Sequence, residues 1–345
     1  MSSTFLAGDA VEIAVVERSG FIESRHLGSA VVVASDGEPL LSVGDPAAPV
    51  FTRSCLKPLQ ALAILRAGVP LAGAQVVLAS ASHSGQQQHT DVVRSMLDGA
   101  GLSEDDLRCP ADLPGNKAAR REVLAAGGGP RKLYFNCSGK HAGFLWACRL
   151  NGWDIETYLE PEHPMQRLVA EVVEEYTGEP PAAIGVDGCG APVFATSLTA
   201  LARGISKIAA APLFLRSRET KNMAADARAA TIAQAIDDYP WAIAGDGEPN
   251  TIVIEDLGIL AKLGAEGMLV LATPAGIAVA VKCLDGAHRA TTLAGLTLLA
   301  EAGGIDRDKA AAVLEKLEIP VLGGGEKVGR VRVGEGISAL ALAGR

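Results

Sequence analysis

Segments with the alternating, β-branched pattern of strands lie at the two ends of this chain, and segments with helical spacing fill its middle. Residues 12–18, EIAVVER, and 29–44, SAVVVASDGEPLLSVG, read as strands, the second folding back at Asp36-Gly37, a two-residue hairpin signal. Strand pattern returns in MLVLATPAGIAVAVKCLDG, residues 268–286, around a turn at 273–276, and again in KVGRVRVGE, with the helical GAHRATTLAGLTLLAEAGG between them. In the middle, CLKPLQALAILRAG, HTDVVRSMLDGAG, KAARREVLAAGG, KHAGFLWACRLNG and HPMQRLVAEVVEEY have helical length and spacing, each bounded by Gly or Pro. This order implies an α+β body whose antiparallel sheet is assembled from both chain ends, not a doubly wound βαβ fold. It predicts a sheet lobe of residues 1–53 and 245–345, a mainly helical lobe of 54–244, and a site between them.

Charge narrows the function classes. Forty acidic against thirty-one basic residues give a formal charge of −9 without a Lys/Arg-rich run, so the basic face of a nucleic-acid binder is missing and a small polar substrate is favoured. The opening MSSTFLAGDAVEIAVVERSG carries Asp9 and Glu12 where a signal peptide needs a basic start and an apolar run, and no stretch of about 18 uncharged apolar residues follows. The expectation is a cytoplasmic protein without a membrane partner. Six scattered cysteines with no C-x-x-C pair fit reduced thiols. The glycine-rich AAGGGP and LGGGEKVG match no phosphate-binding spacing.

Chemistry is suggested first by FTRSCLKPLQALAIL, residues 51–65. Proline is tolerated only in the opening turn of a helix, so Pro58 places Ser54 at or just before the helix start and Lys57 one turn on, within side-chain reach. The pair can be a Ser nucleophile with a neutral Lys base, as in S-x-x-K hydrolases, or an N-cap serine followed by a solvent lysine. Spacing alone decides little, because chance supplies about one S-x-x-K in a chain of this length. The apolar run behind it favours burial of Lys57. A basic role near neutrality needs its pKa to fall from about 10.4 to roughly 7, which costs about 4.6 kcal/mol. A helix N-terminus supplies only about 0.3–1 kcal/mol of that, so desolvation and a second cation are required.

Other segments offer company for this pair. VVLASASHSGQQQHT reads as a strand at 76–80 running into a loop that presents Ser82, His83 and Ser84. Lys262, in GILAKLGAEG, taken alone reads as a surface lysine. Cys137, Lys140 and His141 cluster at a helix start in YFNCSGKHAGFLWAC, and Cys189 follows Asp187 in GVDGCGAP. Two thiolates and a nitrogen from distant segments can hold zinc with an open fourth position, or the cysteines can be small core hydrophobes.

Taken together, TRSCLKPLQAL, ASHSGQQQH, NCSGKHAGFL, HPMQ, DGCGAP and AKLGAEG resemble, in order and spacing, the bacterial L-asparaginase II family of the Rhizobium etli type, over roughly residues 12–290. The resemblance implies a fold similar to serine β-lactamases and bacterial glutaminases, a homodimer, and hydrolysis of L-asparagine to L-aspartate and ammonia. It implies Ser54 and Lys57 as one catalytic pair, Ser82 and Lys262 as a second, and Cys137, Lys140 and Cys189 as ligands of a Zn2+ ion near the substrate. Arg53, His83, His141 and Asp187 are then expected at the substrate or around the metal. Gly190 stands where the Rhizobium etli type carries asparagine, and GDGEPNT replaces a more aromatic segment. A β-lactamase-like or glutaminase-like acyl hydrolase, and a non-catalytic zinc protein, are the competing expectations.

Overall fold

A computed structural model describes residues 3–217 and 227–343. The chain opens with strands β1 (Val11–Arg18), β2 (Phe21–Val33), β3 (Pro39–Val43) and β4 (Pro49–Phe51), then turns through a short 3-10 segment into helix α1 (Lys57–Arg66). Helices α2 (Ala74–Ser80), α3 (Gln87–Ala100), α4 (Lys117–Ala125), α5 (Ser138–Asn151) and α6 (Pro164–Thr177) follow. A hairpin of β5 (Ala183–Val186) and β6 (Pro192–Ser197) leads into α7 (Leu198–Ser217), α8 (Ala227–Asp238) and α9 (Pro249–Leu257). The chain ends with β7 (Leu260–Gly264), β8 (Met268–Ala272), β9 (Ala278–Cys283), α10 (Thr291–Glu301), α11 (Arg307–Lys316), β10 (Val321–Gly323), β11 (Glu326–Val333) and α12 (Glu335–Ala343).

The main sheet has eight strands in the order β10-β11-β1-β2-β9-β8-β7, with β3 also on β2, and its recorded pairings are antiparallel. The expected α+β body with a sheet built from both chain ends is thus present. Every residue of β8 and β9 is buried, a pattern that requires cover on both faces, and α7 and α10 both pack against these strands. By length and composition α7 could span a membrane, yet it is packed against β2, β8 and β9.

Two features of the middle differ from the reading of its pattern. Residues 76–80 belong to helix α2, not to a strand. The β-branched run VVLA is enclosed by α1, α5 and α8, and this packing overrides local β preference in so short an element. The middle also contains a second, three-stranded sheet in the order β4-β6-β5, whose four- and six-residue strands are too short to announce themselves by period.

The start of α5 is fixed by close approach to α2. A Cβ on Gly139 would lie 2.5 Å from the Leu78 carbonyl oxygen, so this helical glycine is required by backbone contact. Gly139→Ala gains about 1 kcal/mol in helix propensity but overpacks a rigid contact, at a cost of about 1–3 kcal/mol. We expect a net loss of stability in urea denaturation; an unchanged or raised midpoint would contradict the contact.

Candidate active site

Five separate pieces of chain meet at one place. Ser54 lies in the 3-10 turn Arg53–Leu56 that joins β4 to α1, and Lys57 is the first residue of α1. Ser54 is therefore one turn outside the α-helix, with its carbonyl, not its hydroxyl, bonded to the Lys57 N–H. Ser82 follows α2, Cys137 to His141 open α5, Asp187 and Cys189 occupy the β5–β6 turn, and Lys262 sits in the middle of β7.

Lys262 is not a surface residue. Its relative exposure is 0%, and that of Lys57 is 2%. Both amines converge on one hydroxyl: Ser82 Oγ is 2.9 Å from Lys57 Nζ and 2.8 Å from Lys262 Nζ. Each amine also donates to a carbonyl, Lys57 to Ala81 at 2.6 Å and Lys262 to Leu263 at 2.8 Å. The partner of Lys57 in this structure is thus Ser82, which the backbone carries to it, and not Ser54 three residues away. Burial pulls the Lys57 amine below the ordinary lysine range. Burial, and then the positive charge of Lys57, pulls Lys262 well below it. A hydroxyl bridging two amines can accept from one and donate its single proton to the other, and the recipient must be neutral. The Lys57–Ser82–Lys262 chain can therefore hold and pass a proton.

Beside this chain lies a second cluster. Lys140 Nζ is 3.2 Å from Cys189 Sγ, and the ligand atoms of Cys137, His141 and Cys189 all lie within 4.8 Å of one another. A hydrogen bond from Cys137, aided by Lys140 and opposed by burial, pushes the Cys189 thiol far down, whereas burial pushes Cys137 well up. Against the effect of burial, the two sulfurs raise the Lys140 amine above the ordinary lysine range. Tyr158 Oη accepts the Arg108 N–H and lies 2.7 Å from His141 Nδ1, and an imidazole proton held on Nδ1 and donated to that oxygen leaves Nε2 with its lone pair. His141 Nε2 then faces the sulfurs, buried and without a hydrogen-bond partner. Two sulfurs, an imidazole nitrogen and an amine around one point match the donors zinc prefers. The orphaned nitrogen shows that the residues present fit a metal ion; sequence spacing had put His141 only at the edge of this group.

Arg53 and Asp187 connect the two clusters. Arg53 Nε donates to Asp187 Oδ1 at 2.8 Å, and Arg53 has φ +47°, a strained value for a side chain of this size. Asp187 in turn shapes the Cys189 turn, its N–H donating to the Ala191 carbonyl and its carbonyl accepting from Gly190. Gly190 has φ +86°, a conformation that glycine adopts freely and asparagine also tolerates.

His83 is engaged at both nitrogens. Its Nδ1 accepts the Gly85 N–H at 3.2 Å, so Nε2 carries the proton given to Ser138 Oγ at 2.9 Å, and Ser138 passes its own to the Leu133 carbonyl. Burial holds His83 neutral, its pKa well below the ordinary histidine range. It ties the Ser82 loop to the first turn of α5, a role its place next to Ser82 did not disclose.

Residues 14–333 match the family of L-asparaginase II. The chain belongs to that family. It is accordingly an asparaginase-type amidohydrolase. No curated protein matches the chain. Among solved structures, a β-lactamase from Mycobacterium bovis matches at 17% identity, covering 80% of this chain and 94% of that one, with a TM-score of 0.40.

Lys262 gives this asparaginase a pH signature. An unfolded lysine titrates near 10.5, and the folded one titrates lower. Between the two values the unfolded chain binds a proton that the folded chain does not, so stability rises with pH across that window. Below the folded value the destabilisation is complete. Lys262→Met should therefore stabilise the protein at neutral pH, with the gain shrinking as pH climbs to about 10.5. Urea denaturation at several pH values measures this, and a gain that grows with pH would refute it.

Proposed function

We propose that this L-asparaginase II family member hydrolyses L-asparagine to L-aspartate and ammonia through an acyl-enzyme on Ser54. The observation that carries the reading is the Ser82 hydroxyl held between two buried lysine amines, next to the turn that presents Ser54. Ser54 Oγ attacks the side-chain amide carbon and its proton goes to Lys57. The C–N bond then breaks, and ammonia leaves with a proton delivered from Lys57. Ser82 passes protons between Lys57 and Lys262, and each amine raises the cost of charging the other, so Lys57 stays available as a base. Water repeats the sequence on the ester and releases aspartate.

In this reading Cys137, Lys140 and Cys189 hold a zinc ion, with His141 Nε2 as a further donor. Bound zinc would supply a positive charge that orients the substrate's polar groups. Lys140 must give up its proton to ligate, and Cys137 likewise, so loading is favoured by higher pH. Asp187 accepts the substrate ammonium, while Arg53 holds that carboxylate in place. The lobes of 1–53 with 245–345 and of 54–244 flank the site, and the enzyme works as a cytoplasmic homodimer.

Ammonia release from L-asparagine, with L-glutamine and a penicillin in parallel, tests the reading. Turnover of asparagine is expected. Ammonia from glutamine alone, or a burst with the penicillin alone, would move the protein to the neighbouring acyl-hydrolase reading. Ser54→Ala should lower kcat on the order of 10^4-fold or more. Ser82→Ala should lower it by about 10^2–10^4-fold, as loss of a proton-transfer group does. Near-normal ammonia release by Ser54→Ala would overturn the assignment of the nucleophile. Dialysis against a chelator should remove zinc from the wild type, and Cys189→Ala should bind less than wild type at equal free zinc; equal metal content in both would rule out the ligand set.

A further inference from the structure

Next to the catalytic centre lies a cavity of about 290 Å³ whose lining includes Ser3 but neither Ser54, Ser82, the thiols nor the catalytic lysines. The small sheet walls it with apolar groups, Phe51 of β4, Ala183 of β5 and Ala195 of β6 among them. Three charged residues complete it: Arg53, Glu266 and Lys282. An apolar chamber carrying two cations and one anion is a setting for a molecule with both an apolar part and opposite charges.

The hydrogen bonds point the same way. Of the five N–H groups of Arg53, Nε–H goes to Asp187, and Glu266 Oε1 stands 3.9 Å from Nη1, beyond hydrogen-bond distance. The terminal N–H groups are thus left for a planar anion, the geometry in which guanidinium grips carboxylate with two parallel bonds. Lys282 Nζ is anchored on the Glu266 carbonyl, which keeps its charge at the cavity. Glu266 extends its own carboxylate outward, with a side chain 68% exposed, so it can meet an ammonium group without displacing a structural bond. Thr4 Oγ1, also in the lining, is buried without a partner, a further polar atom for a ligand to satisfy.

We propose that this cavity is a second ligand site, which binds a small zwitterionic amino acid with an apolar side chain. Its carboxylate lies on the terminal N–H groups of Arg53 with Lys282 nearby, its ammonium meets Glu266, and its side chain packs on Phe51 and the alanines. The site reports to the catalytic centre through one residue. Arg53 precedes Ser54, has strained positive φ, and holds the Asp187 turn that carries Cys189. A carboxylate drawing the guanidinium into the cavity competes with Asp187 for it and shifts both the nucleophile's turn and the metal-side turn. The ligand is therefore an effector and not a competitor of the substrate.

Calorimetric titration of the full chain with L-norvaline tests the site without using ammonia release, so it stands or falls apart from the proposed reaction. One equivalent should bind. Pentanoate, which lacks the ammonium, should bind more weakly, and n-butylamine, which lacks the carboxylate, should not bind. Ala183→Trp fills the chamber from a partly exposed strand position and should weaken norvaline at least about tenfold. Glu266→Gln, at an exposed turn, should weaken norvaline while leaving pentanoate unchanged, and this arm holds even where the tryptophan variant fails to fold. No binding of norvaline in the millimolar range would overturn the proposal. So would binding that neither variant weakens, since the amino acid would then occupy the catalytic centre. In the active enzyme, norvaline should change kcat at saturating asparagine; inhibition relieved entirely by more asparagine would overturn the effector role.

Discussion

Two lysine amines buried within hydrogen-bond distance of the same hydroxyl set the terms for the rest of this protein. A buried ammonium is unfavourable, and two of them facing one serine are worse, so the fold must enforce the arrangement against electrostatics. It does so with rigid pieces. Lys57 is held by the first turn of a helix buried on nearly all sides, and Lys262 by a strand buried at all but Leu263 and paired to the all-buried β8. Ser82 is placed by backbone bonds, its N–H donating to the Ile243 carbonyl and the next N–H donating to the Asn136 carbonyl. The amines respond in the only way such a frame leaves them, by favouring the neutral form. That neutral form is what a base requires.

The thiol cluster solves the opposite problem. There the buried cation is favoured, because Lys140 faces the sulfur of Cys189 instead of another amine. The same residue type is thus driven in opposite directions a short distance apart, and each helps to separate the other's role: Lys140 adds positive charge that lowers Lys57. An ammonium beside Cys189 stands where a metal cation would balance the same negative charge, so loading of the proposed metal would exchange one cation for another and release protons. His83 and Arg53 keep these two electrostatic environments in fixed relation, one by linking the Ser82 loop to α5, the other by linking the Ser54 turn to Asp187.

Much of this was legible in the chain. Pro58 located the Ser54 turn, the apolar helix behind it predicted a buried Lys57, and the demand for a second cation followed from the size of the required pKa change. What the chain could not show was which groups meet. Lys262 looked like a surface residue because LAKLG is too short to reveal a face, and its partner lies 180 residues away. Helix α2 was misread because β-branched residues promise a strand until packing on three helices is known. The small sheet escaped notice for a related reason, since AIGV and PVFATS carry no sustained alternation. His141 stood next to a cysteine–lysine motif, but only the fold shows that Tyr158 engages its Nδ1 and leaves Nε2 without a partner.

Strain at Arg53 draws these observations together. A non-glycine residue at φ +47° persists only where its surroundings hold it there, and here the holding groups are the Asp187 carboxylate and the β4–β6 pairing just before it. The turn that carries Ser54 is therefore tied to the Asp187 turn by an ion pair that engages one N–H of a five-donor group. A mainly enclosed pair in that arrangement is strong enough to fix a turn, yet open to competition from another carboxylate.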